Sequence, residues 1–286
     1  MKLSNKLLIG FALALILIPL MGMIYVSRVY YKEGNDRNLA DMVRKVDNFS
    51  TPTENMESKA MATSFESINI EDAKRLGIYV NIIKDEKFGV KIPKELKDVI
   101  NFNVDANGQL QIAFSKNKQA KNNNSYTTIW VYAPNIKQVI VSNANSVYLD
   151  AKLDSLILNV KKSGSISLQN DLELKSLTIN TEEVKDLYLS NVDIKSLTVK
   201  LNGTDFKTQN NSYESLSIET HGKSNIEISS YEDKSKAYAV KNLTINTFDV
   251  ADVKVENIKI DNCKGSFSDQ TTVQMPAVNL NQMYKK

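Results

Sequence analysis

The chain has 286 residues, 42% of them hydrophobic, and its 36 Lys and Arg against 33 Asp and Glu leave a formal charge of +3. The charges are interleaved, which describes a solvated surface and excludes the concentrated basic stripe of a nucleic-acid binder. A single cysteine permits no internal disulfide, and a single histidine excludes metal sites built from several imidazoles and leaves a Ser-His-Asp arrangement without support.

Residues 7–26 carry no charge. As a helix at about 1.5 Å per residue, such a run covers roughly 30 Å, the thickness of the hydrocarbon layer. Lys2 and Lys6 precede it, Arg28 and Lys32 follow it, and Tyr25, Tyr30 and Tyr31 stand where an aromatic belt belongs. A cleaved secretory signal is the competing reading; the length of the run and the lack of a small-x-small site after Pro19 favour an uncleaved signal anchor. Residues 1–32 are therefore read as one transmembrane segment contacting the lipid bilayer through residues 7–26. The basic residues on both sides do not orient the span. The short N-terminal tail favours a cytoplasmic N-terminus and an extracytoplasmic remainder, either periplasmic or at the cell surface.

Residues 33–64 mix Asn, Lys, Glu, Met and Ser with little apolar periodicity and read as a juxtamembrane linker with a helical tendency at 39–46. Period-two alternation begins at Phe65, Ile68 and Ile70 and continues through Ile78, Val80 and Ile82, then Val90 and Ile92. Asn107-Gly108 between alternating apolar residues is a hairpin signal, because both positions tolerate positive φ, so residues 102–114 form a hairpin. Residues 116–125, rich in Lys and Asn, form an exposed loop, and Ile129, Trp130, Val131 and Tyr132 lead into Pro134.

From Val139 onward one motif recurs: two apolar residues around a central one. It reads Val139-Ile140-Val141, Leu156-Ile157-Leu158, Leu177-Thr178-Ile179, Leu197-Thr198-Val199, Leu216-Ser217-Ile218 and Leu243-Thr244-Ile245, with starts 17, 21, 20, 19 and 27 residues apart. Most copies are followed by a second apolar pair, such as Ile166/Leu168, Leu187/Leu189 and Ile226/Ile228. Two short strands per repeat cannot bury their own apolar face, so the repeats must stack. The expected fold is all-β, a parallel β-helix or β-solenoid of short stacked strands, preceded by the transmembrane helix. Its parts are an N-terminal β region at 65–135 with the hairpin, solenoid repeats at 136–270 and a cap or tail at 271–286.

The order Phe65-Glu66-Ser67-Ile68-Asn69-Ile70, the Asn107-Gly108-Gln109-Leu110-Gln111-Ile112 hairpin, Ile129-Trp130-Val131-Tyr132-Ala133-Pro134 and the ladder rich in Ser and Asn resemble the bacterial "putative auto-transporter adhesin, head GIN domain" family over residues 65–230. The resemblance implies an envelope or secreted protein of stacked β-strands and supplies no catalytic residues. The family's turns are usually glycine-rich, whereas this chain has ten glycines and places Asn and Lys in them, as at Asn143-Ala144-Asn145. Asn can take up the left-handed turn conformation, so the fold survives the exchange.

Chemistry finds few footholds. His221, beside Gly222, reads as a solvated turn residue. Cys263 reads as a core thiol, although Lys264 beside it offers a route to a lowered pKa. A polysaccharide lyase or hydrolase is the enzymatic alternative, and it needs clustered carboxylates. The candidates Asp150, Asp154, Asp171, Glu173, Glu182, Glu183 and Asp205 do not recur at one phase of the repeat and mostly precede or neighbour lysines. No Gly-Gly occurs, so calcium-binding nonapeptide repeats are absent.

Thr178, Thr198, Ser217 and Thr244 hold the middle of successive motifs and should align as a hydroxyl ladder on one outer face. They are the candidate binding-face residues, and Tyr148, Tyr188, Tyr213 and Tyr231 could add stacking faces. Stacked Thr also simply stabilises a sheet. The expected function is noncatalytic binding or adhesion in the cell envelope to a glycan or protein, with no cofactor, no metal and no nucleic acid. A structural or regulatory spacer is the third alternative.

Overall fold

The computed structural model describes residues 3–30, 48–115, 126–169, 172–231 and 237–284. The expected helical stretch at 39–46, the loop at 116–125 and Asp171 lie outside them. The chain divides into two units, residues 1–46 and 47–286.

In the first unit, α1 (Leu3–Tyr30) is a 28-residue helix that includes Pro19. Its apolar side chains Phe11, Leu13, Leu15, Ile16 and Ile18 are exposed. Among the described residues no helix counts as long and apolar enough to cross a membrane; in α1 the side chains described are those of Lys6, Phe11 and residues 13–25. The expected span at 7–26 therefore rests on the sequence.

The second unit is almost entirely β, a large mixed sheet of 18 strands. Its N-terminal part holds β1 (Met56–Ala60), β2 (Ser67–Ile70), β3 (Gly77–Lys84), β4 (Gly89–Pro93), β5 (Ile100–Val104), β6 (Gln109–Phe114) and β7 (Tyr126–Ala133). The repeats follow as β8 (Gln138–Ser142), β9 (Ser146–Gln169), β10 (Leu172–Ser190), β11 (Asp193–Asn202), β12 (Asp205–Gln209), β13 (Tyr213–His221), β14 (Ser224–Ser229), β15 (Ala239–Thr247), β16 (Ala251–Glu256), β17 (Lys259–Ser266) and β18 (Thr271–Gln274). A short helix, α2 (Ala277–Tyr284), ends the chain.

Two parallel ladders organise the repeats. One joins β8, β9, β10, β11, β13, β15 and β17, and the other joins the later halves of β9 and β10 to β12, β14, β16 and β18. Each repeat gives one strand to each ladder, as the paired apolar motifs predict. The register keeps like on like: Leu156, Leu177, Leu197, Leu216 and Leu243 lie side by side and end at Cys263, all buried. In the second ladder Ile166, Leu187, Phe206, Ile226 and Val253 do the same. Burying each such side chain stabilises the fold by about 2 kcal/mol, so the shared row fixes the register.

The corners explain how so few glycines suffice. Asn143, Lys162, Glu183, Gly203 and Gly222, at equivalent places in successive repeats, all have positive φ, and so do Asn191, Asn210 and Asn257 elsewhere. The reading of Asn143 as a left-handed turn residue holds, with φ 55°. Inside the first corner sits a column of hydroxyls, all buried except the half-buried Thr271, that the sequence did not announce: Thr181 and Thr204 are 2.8 Å apart, Thr220 donates to Ser224 at 2.7 Å, and Thr247 and Thr271 are 2.7 Å apart.

The hairpin is present, with β5 and β6 antiparallel and Gly108 at φ 70°. Two strands extend beyond the expected limits. β1 lies in the stretch read as linker, where it pairs antiparallel with β4; only Met56 of its five residues is buried, so it carries no alternation to read. β18 lies in the stretch read as a cap. α2 packs on β17, with buried Asn279 donating to Ile260 O at 3.4 Å.

Candidate functional site

The four predicted positions do come into line. Thr178 pairs with Thr198, Thr198 with Ser217 and Ser217 with Thr244, and the row continues to Ile157 at one end and Lys264 at the other. Buried neighbours at i−1 and i+1 in each strand point inward, so the central residue must point out. At a spacing of about 4.8 Å per strand the four cover roughly 14 Å. Each is partly exposed, and none of the four hydroxyls makes an intramolecular hydrogen bond among the described residues.

The rows beside it are polar too. Ser176, Ser196, Ser215, Asn242 and Asn262 flank one side; Asn180, Lys200, Glu219, Asn246 and Ser266 flank the other. These rims satisfy one another: Asn180 Nδ2 donates to Asn159 Oδ1 at 2.7 Å, Asn262 Nδ2 to Asn242 Oδ1 at 3.2 Å, and Ser266 N to Asn246 Oδ1 at 3.1 Å. The face thus carries an open hydroxyl row between two rims that include asparagines already bonded to their neighbours.

The carboxylates are spread out and occupied. Glu173 pairs with Lys152 at 2.7 Å, Glu182 with Lys161 at 2.6 Å and Asp154 with Lys175 at 2.6 Å, each between adjacent strands. The hydrogen bonds from Lys175 and Lys161 hold the Asp154 and Glu182 carboxyls below the usual carboxylate range. Asp150 accepts from Tyr79 Oη at 2.5 Å, and Asp205 accepts from Asn225 N at 2.8 Å. Glu183 occupies the left-handed corner. A general acid needs a raised pKa, and the Asp154 and Glu182 carboxyls are held down instead. Among the described residues no group of three or more His, Cys, Asp or Glu could hold a metal ion.

His221 is exposed at the end of β13, its Nε2 3.4 Å from Glu219 Oε1 and its ring stacked on Phe248 at 4.5 Å. Cys263 is buried in the apolar row, and burial pushes its thiol pKa up, so the activation offered by Lys264 does not arise. Of the four tyrosines, Tyr213 is packing: it is buried and shares a 2.7 Å hydrogen bond with Thr208. Tyr148 stacks on Tyr79 at 5.7 Å, Tyr188 donates to Gln209 Oε1 at 3.2 Å, and Tyr231 is exposed.

A family model described as "putative auto-transporter adhesin, head GIN domain" matches residues 64–242, more than half of the chain. The chain belongs to this family. The GIN domain thus takes in the hairpin, β7 and the ladder from β8 into β15. Among solved structures, the domain is similar to a putative adhesin from Bacteroides fragilis, at 15% identity and TM-score 0.50, covering 78% of this chain and 96% of that one. It is also similar to a putative adhesin from Parabacteroides merdae, at 14% identity and TM-score 0.43, covering 77% and 93%. A putative lipid binding protein from Parabacteroides distasonis gives 15% identity and TM-score 0.38, covering 77% and 94%. At such identities the Bacteroides likeness concerns the fold alone. No curated protein matches the chain.

Proposed function

We propose that this GIN-domain protein is a noncatalytic binding protein of the bacterial cell envelope, anchored by residues 7–26 and presenting a β-solenoid outside the cytoplasm. The two parallel ladders are the two walls of one coil, and the row Thr178, Thr198, Ser217 and Thr244 is its binding face. The observation that carries the reading is that row: four hydroxyls at strand spacing, part exposed and, among the described residues, free of internal hydrogen bonds. A ligand that meets it must offer donors and acceptors along a line, which suits an extended, hydroxyl-rich glycan of the envelope. The pairing of Glu173, Glu182 and Asp154 with lysines supports binding without cleavage.

The anchor is supported by the uncharged run inside a 28-residue helix whose apolar side chains are exposed. Pro19 lies in the helix interior and frees the Leu15 carbonyl, a break that membrane-spanning helices tolerate where neighbouring groups satisfy the freed carbonyl.

The test is sedimentation of the chain with insoluble cell-wall polysaccharide. Replacing Thr178, Thr198 and Thr244 together by Val keeps shape and β-propensity and removes three hydroxyls. Binding should fall about tenfold or more, at roughly 0.5–1.5 kcal/mol per lost hydrogen bond. Unchanged binding by the triple variant would overturn the face, and release of soluble sugar would overturn the noncatalytic reading. Protease digestion of a C-terminal tag in intact cells and then in spheroplasts tests the location; protection in both would overturn the orientation.

A further inference from the structure

The ladders end differently at their two extremes. At the far end α2 lies on β17, with Gln282 Oε1 accepting from Cys263 N at 2.8 Å. At the near end, among the described residues, β1 pairs only with β4 and β5 only with β6, so each keeps a side with no described partner strand.

Hydrogen-bond phase shows which groups are unpaired. Lys94 N donates to Asn55 O at 3.0 Å and Met61 N to Phe88 O at 2.9 Å, so residues 55, 57, 59 and 61 turn their backbone toward β4. Alternation leaves Ser58 and Ala60 facing away. In β5, Ser115 N donates to Val99 O at 2.8 Å and Asp105 N to Gln109 O at 3.0 Å, which leaves Ile100, Phe102 and Val104 facing away from β6. Lys59 Nζ donates to Phe102 O at 3.0 Å, so the outward carbonyl is where the phase puts it and the middle of β1 lies opposite the middle of β5. Between the strands runs a groove lined by apolar Val90, Ile92, Ile100 and Phe102, with Glu57, Lys59 and Lys97 also along it.

Both strands are self-complementary when paired antiparallel with their own copy. Around Phe102, the sequence Ile100-Asn101-Phe102-Asn103-Val104 sets Ile100 against Val104 and Asn101 against Asn103. Around Ser58, the sequence Met56-Glu57-Ser58-Lys59-Ala60 sets Glu57 against Lys59, twice. Opposite charges facing across a strand pair are favourable, and the bridge from Lys59 to Phe102 lets one twofold axis serve both centres.

We propose that a second copy of this chain joins edge to edge at β1 and β5, so that both ladders continue across a twofold axis. On pairing, Phe102 N–H of the second copy takes the place of Lys59 on the Phe102 carbonyl. Lys59 then turns to Glu57 of the second copy. In the unpaired chain the same lysine covers the carbonyl, a common way of blunting a free edge.

The test uses the full chain in detergent, with sedimentation velocity over a dilution series. The parent should dimerise. Glu57→Lys and Lys59→Glu should each weaken the dimer about tenfold, because each places like charges opposite one another, and the double exchange should restore most of it, short of the parent because Lys97, 3.0 Å from Glu57 in the same chain, loses its partner. Circular dichroism checks that all three variants fold. In vesicles, a mixture of Asn101→Cys and Asn103→Cys chains should give disulfide-linked dimers under mild oxidation, whereas either variant alone should give far fewer; Cys263 is buried and adds no background. A parent that stays monomeric, a dimer insensitive to the single exchanges (as association through α1 alone would be), or equal cross-linking in mixed and unmixed samples would each overturn the proposal.

Discussion

Replacing Glu183 by Gly should stabilise the protein even though it deletes a whole side chain. Glu183 has φ 53° and Lys162 φ 49°, in a corner column where the next two repeats use Gly203 and Gly222. A left-handed conformation costs a residue with a Cβ roughly 1–2 kcal/mol. Glycine avoids that strain but loses about 0.5–1 kcal/mol through the greater freedom of its unfolded chain. Glu183 is exposed, so little packing is lost. The expected net gain is about 0.5–1 kcal/mol, or roughly 1–4 °C in Tm for a unit of this size. Lys162→Gly should add a similar amount. Gly203→Ala, with its φ of 61°, should do the opposite and cost about 1 kcal/mol or more. Thermal and urea unfolding followed by circular dichroism read all three. If Glu183→Gly lowers stability while Gly203→Ala leaves it unchanged, the corner strain inferred here is wrong.

Gly265 has φ 141°, and a Cβ there would lie 1.8 Å from Ile245 O, so Gly265→Ala should loosen β17 and expose its amides in hydrogen exchange before the rest of the ladder. The Cys263 thiol should resist iodoacetamide at pH 8 and react quickly once the protein is unfolded, since burial raises its pKa; rapid labelling of the native chain would contradict its place in the row. The Asp72 carboxyl is held down to about 2, chiefly by the hydrogen bond from the Lys74 side chain, with burial opposing and Lys74 N and Asn143 assisting. A depressed carboxylate pKa stabilises the fold above its unfolded value of 3.8, and that contribution is lost as pH falls from 3.8 toward about 2. Acid unfolding of Asp72→Asn should therefore be flatter than that of the parent in this window, and identical profiles would remove Asp72 from the account.

Much of the repeat region was legible because its signal is redundant. Leu177, Leu197, Leu216 and Leu243 each mark a strand centre, and only one register buries them all, so the alignment of Thr178, Thr198, Ser217 and Thr244 followed from the apolar rows beside them. The Asn-Gly hairpin was legible from its dipeptide, although only Gly108 takes up a positive φ and Asn107 does not: the turn closes from Gly108 N to Asp105 O and from Asp105 N to Gln109 O. What was missed has no alternation. β1 belongs to the sheet mainly through its backbone, and its Glu57, Ser58, Lys59 and Ala60 resemble the linker before them. The Thr181, Thr204 and Thr220 column was hidden for another reason: a buried threonine looks like an exposed one until its partner is known. The opposing effects on Cys263, a neighbouring lysine and a dry row, could be ranked only with its burial in hand.

The ion pairs Glu173 to Lys152 and Glu182 to Lys161, like the leucine row, join neighbours in the stack and nothing farther away. Such a molecule has no fixed size written into it. A duplicated segment of about twenty residues would find the same partners above and below and would carry its own corner and its own outward hydroxyl. Genes of this kind can lengthen or shorten by whole repeats while both extremities stay as they are, so the length of the ladders can be tuned without redesigning how they fold.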